Sequence, residues 1–257
     1  MYLYVVNKWI YKKLIKYTMA TLLISLYFSF MSRTLCPDCH RPQKACICSF
    51  TVSVFNSIHV VILQHPSEVG QVKGTATLLE KSLNSCQVLV GENFSENSDF
   101  INVLEHYHAV LLYPSEQAVV LTDEAVIKLT SNSLSLQTQP VIKPLCLVIL
   151  DGTWKKAYRM FMLSQNVQDL PQICLPEELA TAGQYHIRKV AKKNALSSLE
   201  ACCYALALLE ENSEIGMVSP DNAGKYQLLL EKFHQFNQFQ LSFRPEHKAP
   251  QRKLNDS

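Results

Sequence analysis

Cys36-Pro-Asp-Cys39 and Cys46-Ile-Cys48 place four thiols in the spacing C-x2-C-x6-C-x-C. Four thiolates this close suit a tetrahedral zinc ion, because two short chelating turns folded toward each other present four equivalent sulfur ligands. Pro37 and Pro42 stiffen those turns, and Arg41 and Lys44 offset the negative charge of a four-thiolate centre. The rival reading is a pair of disulfides, as in a small secreted framework. Against it, Cys86, Cys146, Cys174, Cys202 and Cys203 sit singly or adjacently in apolar segments, the pattern of reduced, buried cysteines in a cytoplasmic protein. His40 is a spare ligand that a full cysteine set makes unnecessary. A closed four-cysteine site has no open coordination position, so the metal's expected role is structural. The preference for zinc over iron rests on ligand number and spacing alone.

The remaining residues able to do chemistry gather at the ends of apolar runs, so the elements that position them come next. His59–Leu63 (HVVIL), Cys86–Val90 (CQVLV), Ala109–Tyr113 (AVLLY) and Leu145–Leu150 (LCLVIL) read as buried strands, with Gln172–Leu175 as a candidate fifth. Between them, Thr75–Leu83, Asp123–Thr130 and Trp154–Leu163 read as helices. Continuous apolar strands separated by helical segments predict an α/β fold, a mostly parallel sheet with helices on both faces. Ser197-Ser-Leu-Glu200 is a capping-box pattern that opens a strongly apolar helix running to Glu211. A last helix, from about Ala223 to Phe239, interleaves Leu228, Leu229, Phe233 and Phe236 with polar residues. In a parallel sheet, ligands bind outside the carboxyl ends of the strands. That rule selects His65-Pro-Ser-Glu68, Tyr113-Pro-Ser-Glu-Gln117, Asp151-Gly-Thr-Trp154 and the stretch after Leu175. There is no GxGxxG or P-loop, and seven glycines leave little room for one, which argues against a Rossmann dinucleotide site.

The chain divides by composition into an apolar and basic extension (1–30), the four-cysteine knuckle (31–50), the α/β domain (51–243) and a charged, loose tail (244–257). The net charge of +2 hides an asymmetry. Residues 1–30 hold Lys8, Lys12, Lys13 and Lys16 and no acid, leaving 20 basic against 22 acidic residues in the rest. Nucleic-acid binding would therefore rest on local patches rather than on the field of the whole protein. The apolar run Thr18–Phe30 is short for a membrane span, which needs about 20 residues. It follows a basic stretch as a secretory core does, yet no small-x-small cleavage site follows it. Three readings stand: a membrane anchor, a signal segment, or translated sequence upstream of a natural start at Met31. Membrane contact is expected only if the extension is translated and retained; otherwise the location is cytoplasmic.

From Arg33 to about Phe239 the chain resembles the DTW-domain family of tRNA-uridine aminocarboxypropyltransferases. The resemblance is carried, in order, by the knuckle ending Cys46-Ile-Cys48, by Ile62-Leu-Gln-His-Pro66 with Glu68, by Leu112-Tyr-Pro-Ser115, by the naming motif Leu150-Asp-Gly-Thr-Trp154, by Ile187-Arg-Lys189, and by Ser198-Leu-Glu-Ala201. No single short match is specific; six in order are. Ser198 stands where the family pattern has Thr, and nothing in the family matches residues 1–30. The resemblance implies transfer of the 3-amino-3-carboxypropyl group of S-adenosylmethionine to N3 of a tRNA uridine, with release of methylthioadenosine. It also implies a SPOUT-like fold, an α/β domain with a knotted C-terminal part, which periodicity alone could not suggest.

The same resemblance distributes roles. Asp151 would accept the N3 proton or hold the base; the alternative is that it caps the following helix. Thr153 would shape the loop. Trp154 would stack on adenine or on a flipped uracil, or pack in the core. Tyr113, Pro114 and Ser115 would line the S-adenosylmethionine pocket. Arg188 would pair with the carboxylate of the transferred group or with an RNA phosphate. His65 and Glu68 are further candidates, against a satisfied histidine and a surface acid. The runs Lys155, Lys156, Arg159 and Arg188, Lys189, Lys192, Lys193 are commonly just solvated faces; beside a uridine pocket they are candidate phosphate contacts, and the knuckle could extend that surface. The substrate partner is tRNA, and no stable protein partner is expected. Three rival functions remain: a SPOUT-type methyltransferase using S-adenosylmethionine, a non-catalytic zinc RNA-binding adaptor, and a membrane-anchored redox protein using the cysteine pairs.

Overall fold

Val60, Val61, Ile62 and Leu63 are all fully buried, which consecutive strand residues achieve only when both faces of their sheet are covered. The computed structural model describes residues 34–71, 74–132, 143–180, 196–210 and 218–243, without the side chains of 130–132. The extension 1–30, the run Arg188–Lys193 and the tail from 244 lie outside the described residues. Two compact units divide the chain, Met1–Cys48 and Ser49–Ser257.

In the first unit the backbone doubles back on itself. Leu35 and Pro42 form an antiparallel bridge, the Cys36 amide donates to the Arg41 carbonyl at 2.8 Å, and the His40 amide donates to the Cys36 carbonyl at 2.9 Å. His40 closes this turn in the left-handed region at φ 54°. A 3-10 turn over Gln43–Ala45 then reverses the chain toward Cys46.

The second unit is built on six strands: β1 (His59–Gln64), β2 (Cys86–Val90), β3 (His108–Leu112), β4 (Val119–Val120), β5 (Leu145–Asp151) and β6 (Gln172–Cys174). They lie in the order β2-β1-β5-β3-β6-β4, and every pairing is parallel. Among the described residues six helices flank them: α1 (Ala76–Ser82), α2 (Ser98–His106), α3 (Asp123–Asn132), α4 (Trp154–Leu163), α5 (Ser198–Glu210) and α6 (Gln227–Ser242), with one-turn helices at Gln165–Gln168 and Glu177–Ala180. The apolar-run reading located five strands and the helices α1 and α3 to α6 to within a few residues. It left out α2, which buries Phe100 and Val103 and packs Leu104 beside them, and the two-residue β4 at the sheet's edge.

On one face of the sheet, Val61, Leu63, Leu111, Val148 and Leu150 meet Phe94, Phe100, Val103, Ala157, Met160 and Val167. Phe94 and Phe100 pack edge to face at 6.0 Å. Each fully buried side chain of this size contributes roughly 1.5–3 kcal/mol. The intervening residues Val60, Ile62, Val110 and Leu147 point to the other face and are equally buried. Helix α5 packs there against β5, α1, α3 and α6, and it is apolar around its whole circumference, as a central helix must be. On α6, Leu229, Phe233 and Phe236 turn inward while Leu228 is exposed.

The strand order fixes where a ligand can sit. From β1 the chain leaves toward the β2 edge, and from β5, the neighbour of β1, it leaves past β3 to β6. Loops departing in opposite directions from adjacent strands open a crevice between them, the switch point where open parallel sheets bind ligands. Here that switch point falls between the ends of β1 and β5, at Gln64 and Asp151, which are register partners.

Candidate functional site

Asp151 is the last residue of β5 and is 6 % exposed. Its carboxylate is held from three directions. Gln64 Nε2, at the end of β1, donates to Oδ2 at 2.9 Å; Ser198 Oγ, at the start of α5, donates to Oδ1 at 2.9 Å; Thr75 Oγ1, just before α1, donates to Oδ1 at a longer 3.4 Å. The Asp151 carbonyl accepts the His65 amide at 3.0 Å. A carboxylate offers about four acceptor positions, so these three donors leave one position unfilled. The capping alternative for Asp151 is not what its side chain does: the N-cap of α4 is Thr153, whose own side chain makes no capping bond.

Gly152 lets the loop pass close to its neighbours. A Cβ there would stand 3.2 Å from Lys156 Cβ and 3.7 Å from His65 Cβ. Trp154 opens α4 with 52 % of its surface exposed, so the core-packing alternative is not realised. Tyr113 follows β3 and lies half-buried, stacked on Phe161 at 5.0 Å and 12°. Burial and the neighbouring Tyr158 push its hydroxyl above its ordinary value. Pro114 is exposed and Ser115 partly so, in a loop tied by the Gln117 amide donating to Ser115 Oγ at 3.2 Å. Arg188 lies outside the described residues.

Around this centre runs a layer of hydrogen bonds and ion pairs. The Ser67 amide donates to His65 Nδ1 at 3.1 Å, which fixes Nδ1 as acceptor and Nε2 as the protonated nitrogen. Nε2 faces Glu92 Oε1 at 2.8 Å, and Glu92 Oε2 also meets Arg159 at 3.2 Å. Glu68 is buried and pairs with Lys156 at 2.8 Å, so it is not the surface acid of the alternative reading, and the Lys156 ammonium is committed to it. Sequence reasoning gave no role to Gln64, which stood only inside the motif Ile62–Pro66, and did not single out Thr75 or Glu92. A polar residue closing the apolar run of β1 was an available signal for Gln64; Glu92, in the loop after β2, offered none.

Helix α5 opens as its pattern predicts. The Ser197 amide donates to Glu200 Oε2 at 2.7 Å and the Glu200 amide to Ser197 Oγ at 3.2 Å, a reciprocal capping box. That leaves the Ser198 hydroxyl free to turn toward Asp151.

In the first unit, the four cysteine sulfurs lie within 4.8 Å of one another, with Cys36 and Cys48 at 3.7 Å and Cys39 and Cys46 at 3.8 Å. Sulfurs about 2.3 Å from a tetrahedral ion stand roughly 3.8 Å apart, so these separations suit a bound metal, and the ligand set is complete without His40. Burial opposes ionisation of Cys39, yet the amides of Ile47 and Arg41 and the thiols of Cys36 and Cys46 bring it down to about 6. Burial and the neighbouring sulfurs push Cys48 up to about 12. One thiolate forms readily and the next against its charge, and a bound cation removes that penalty. No disulfide joins any of the nine cysteines. Among the described residues no helix is long and apolar enough to cross a membrane.

Comparison with known proteins supplies the rest. The model of the family described as the DTW domain matches residues 33–241. A Macaca fascicularis protein named tRNA-uridine aminocarboxypropyltransferase 2 is 33 % identical over 189 residues, covering 71 % of this chain and 59 % of the relative. Its Mus musculus namesake is 32 % identical over 70 % of this chain and 58 % of the relative. That of Drosophila melanogaster is 30 % identical over 76 % of each. The chain thus spans less than two thirds of the length of the macaque and mouse relatives. No solved structure matches it.

Proposed function

This chain belongs to the DTW-domain family, and from that premise we propose that it is a tRNA-uridine aminocarboxypropyltransferase. In the proposed reaction the N3–Cγ bond to the aminocarboxypropyl group forms as the S–Cγ bond of S-adenosylmethionine breaks. Methylthioadenosine leaves as a neutral thioether, and the N3 proton is released. The observation that carries the reading is Asp151, a buried carboxylate at the β1–β5 crevice with three donors fixing it and one acceptor position left.

Uridine N3 is a poor nucleophile while it holds its proton. Asp151 would accept the N3–H in a hydrogen bond, orient the base for in-line displacement and take the proton as the new bond forms. Gln64, Thr75 and Ser198 keep the carboxylate from rotating. The aromatic faces of Tyr113 and Trp154, at the ends of neighbouring strands, suit an adenine and a splayed uracil, and the loop Tyr113–Ser115 offers backbone groups to S-adenosylmethionine. Arg188 is the proposed partner of the transferred group's carboxylate, on the chemistry of its guanidinium alone. The ion held by Cys36, Cys39, Cys46 and Cys48 is read as zinc in a structural role. The knotted, SPOUT-like C-terminal part belongs to the same reading and rests on the family resemblance alone. Nine cysteines, none of them in a disulfide, favour a reducing, cytoplasmic location.

The test incubates the full chain with unmodified tRNA and S-adenosylmethionine, followed by mass spectrometry of the digested nucleosides. The expected result is a uridine heavier by one aminocarboxypropyl group with release of methylthioadenosine, both lost in Asp151→Ala. A methylated nucleoside with S-adenosylhomocysteine would replace this reading by a methyltransferase. No product from a folded, metal-loaded protein on a full tRNA pool would leave an RNA-binding adaptor.

A further inference from the structure

Trp154, Tyr158 and Met162 fall one turn apart along α4 and expose 52 %, 57 % and 50 % of their surfaces. Single exposed apolar residues are ordinary. A row of three that starts three residues beyond Asp151 is not, and the helix does not need it for packing, since Ala157 and Met160 already supply its buried face. Tyr113, stacked on Phe161, continues the row from the end of β3.

Cations flank the row. Lys155 is exposed, Arg159 exposes 65 % of its side chain while leaning on Glu92, and α4 itself carries no acid. The charge decides between the two kinds of occupant such a face could take. A two-fold contact with a second copy would set this basic face against itself, and like charges across an interface cost affinity. A single nucleic-acid strand meets the same pattern with complementary groups: bases stack on aromatic faces, and phosphates accept from cations.

We propose that the outer face of α4 is the platform for the single-stranded nucleotides that flank the target uridine. Tyr158 stacks on a neighbouring base, Met162 covers the next, and Lys155 and Arg159 take the phosphates between them. Trp154 marks the inner end of the platform, at the crevice. This assignment rests on the transferase reading for the identity of the RNA, but not for the binding itself.

The two are separable by measuring binding and chemistry independently on the full chain. Fluorescence anisotropy with a labelled twelve-nucleotide oligouridylate gives binding, and product formation on unmodified tRNA gives KM and kcat. Tyr158→Ala is expected to weaken oligouridylate binding about tenfold, the loss of one base–aromatic stack, and to raise KM rather than lower kcat. Tyr158→Phe, which keeps the ring, restores binding. Arg159→Met lowers the slope of affinity against salt by about one. Tyr158-dependent binding without any aminocarboxypropyl product would keep the platform and overturn the chemistry. Normal product formation with unchanged affinity and KM in a folded Tyr158→Ala would overturn the platform and keep the chemistry. A dimer that Tyr158→Glu dissociates while RNA affinity is untouched would make the face a self-interface and refute the proposal.

Discussion

Ser198→Ala removes a single hydroxyl, and its effect can be worked from the geometry around Asp151. The hydroxyl donates to a carboxylate that is 6 % exposed, at 2.9 Å. A hydrogen bond to a charged group contributes about 1.5–3 kcal/mol, so Ser198→Ala should destabilise the chain by about 2 kcal/mol. For a domain of this size that is a fall in Tm of roughly 4–8 °C. Asp151→Ala should cost more, at least about 3 kcal/mol, because it leaves Gln64, Thr75 and Ser198 as buried donors without their acceptor. The informative quantity is the coupling. If the two side chains act on each other, the double variant Ser198→Ala/Asp151→Ala is less destabilised than the sum of the singles by about 2 kcal/mol. Equilibrium urea unfolding of the four proteins measures it. Ser198→Thr, which keeps the hydroxyl, should stay within about 1 kcal/mol of the parent. A coupling below about 0.5 kcal/mol would refute the view that α5 is pinned to the end of β5 through this carboxylate.

Two further outcomes follow from buried charge and from the cysteine cluster. Glu210, at the end of α5, accepts from the Ser57 and Ile58 amides at 2.7 and 2.8 Å, and from Tyr226 and Lys225 at 2.5 and 2.6 Å. Burial raises its carboxyl, but Lys225, Tyr226 and the Ile58 amide outweigh it and hold the group below its ordinary value. A depressed folded-state value means that its stabilisation is complete above the unfolded carboxyl range, near pH 4.3, and is lost as the pH falls below it. Urea unfolding should therefore show the parent losing stability from about pH 4.5 downward, with that acid limb reduced in Glu210→Gln; identical acid limbs would contradict the assignment. For the cluster, elemental analysis of the native chain should find one zinc per molecule. Cys39→Ser should lower metal content and thermal stability together, whereas full metal occupancy after that substitution would exclude Cys39 as a ligand.

Much of this protein was legible in its residues because the signals are local. Four continuous apolar runs named four strands, since side chains buried on both faces of a sheet leave no polar alternation to misread. Ser197 and Glu200 announced the start of α5, since a capping box is closed within one helical turn. The cysteine spacing named the metal cluster, since chelating turns are short. Helix α2 was missed although Phe100, Val103 and Leu104 fall at helical spacing on its inward face; β4 escaped because two residues hold no period.

The order of the strands and the surroundings of Asp151 belong to the tertiary structure alone. Motif and resemblance pointed to Asp151, but its donors Gln64, Thr75 and Ser198 stand 87, 76 and 47 residues away along the chain. No periodicity reaches across such separations. They meet only because β5 inserts beside β1 in a register that aligns Gln64 with Asp151, and because α5 packs back onto β5. The sequence marks which residues can do chemistry, through their types and their places at strand ends. Which of them share a site is decided by parallel pairing between distant segments, whose register is set by the burial of whole strands rather than by any neighbour in the chain.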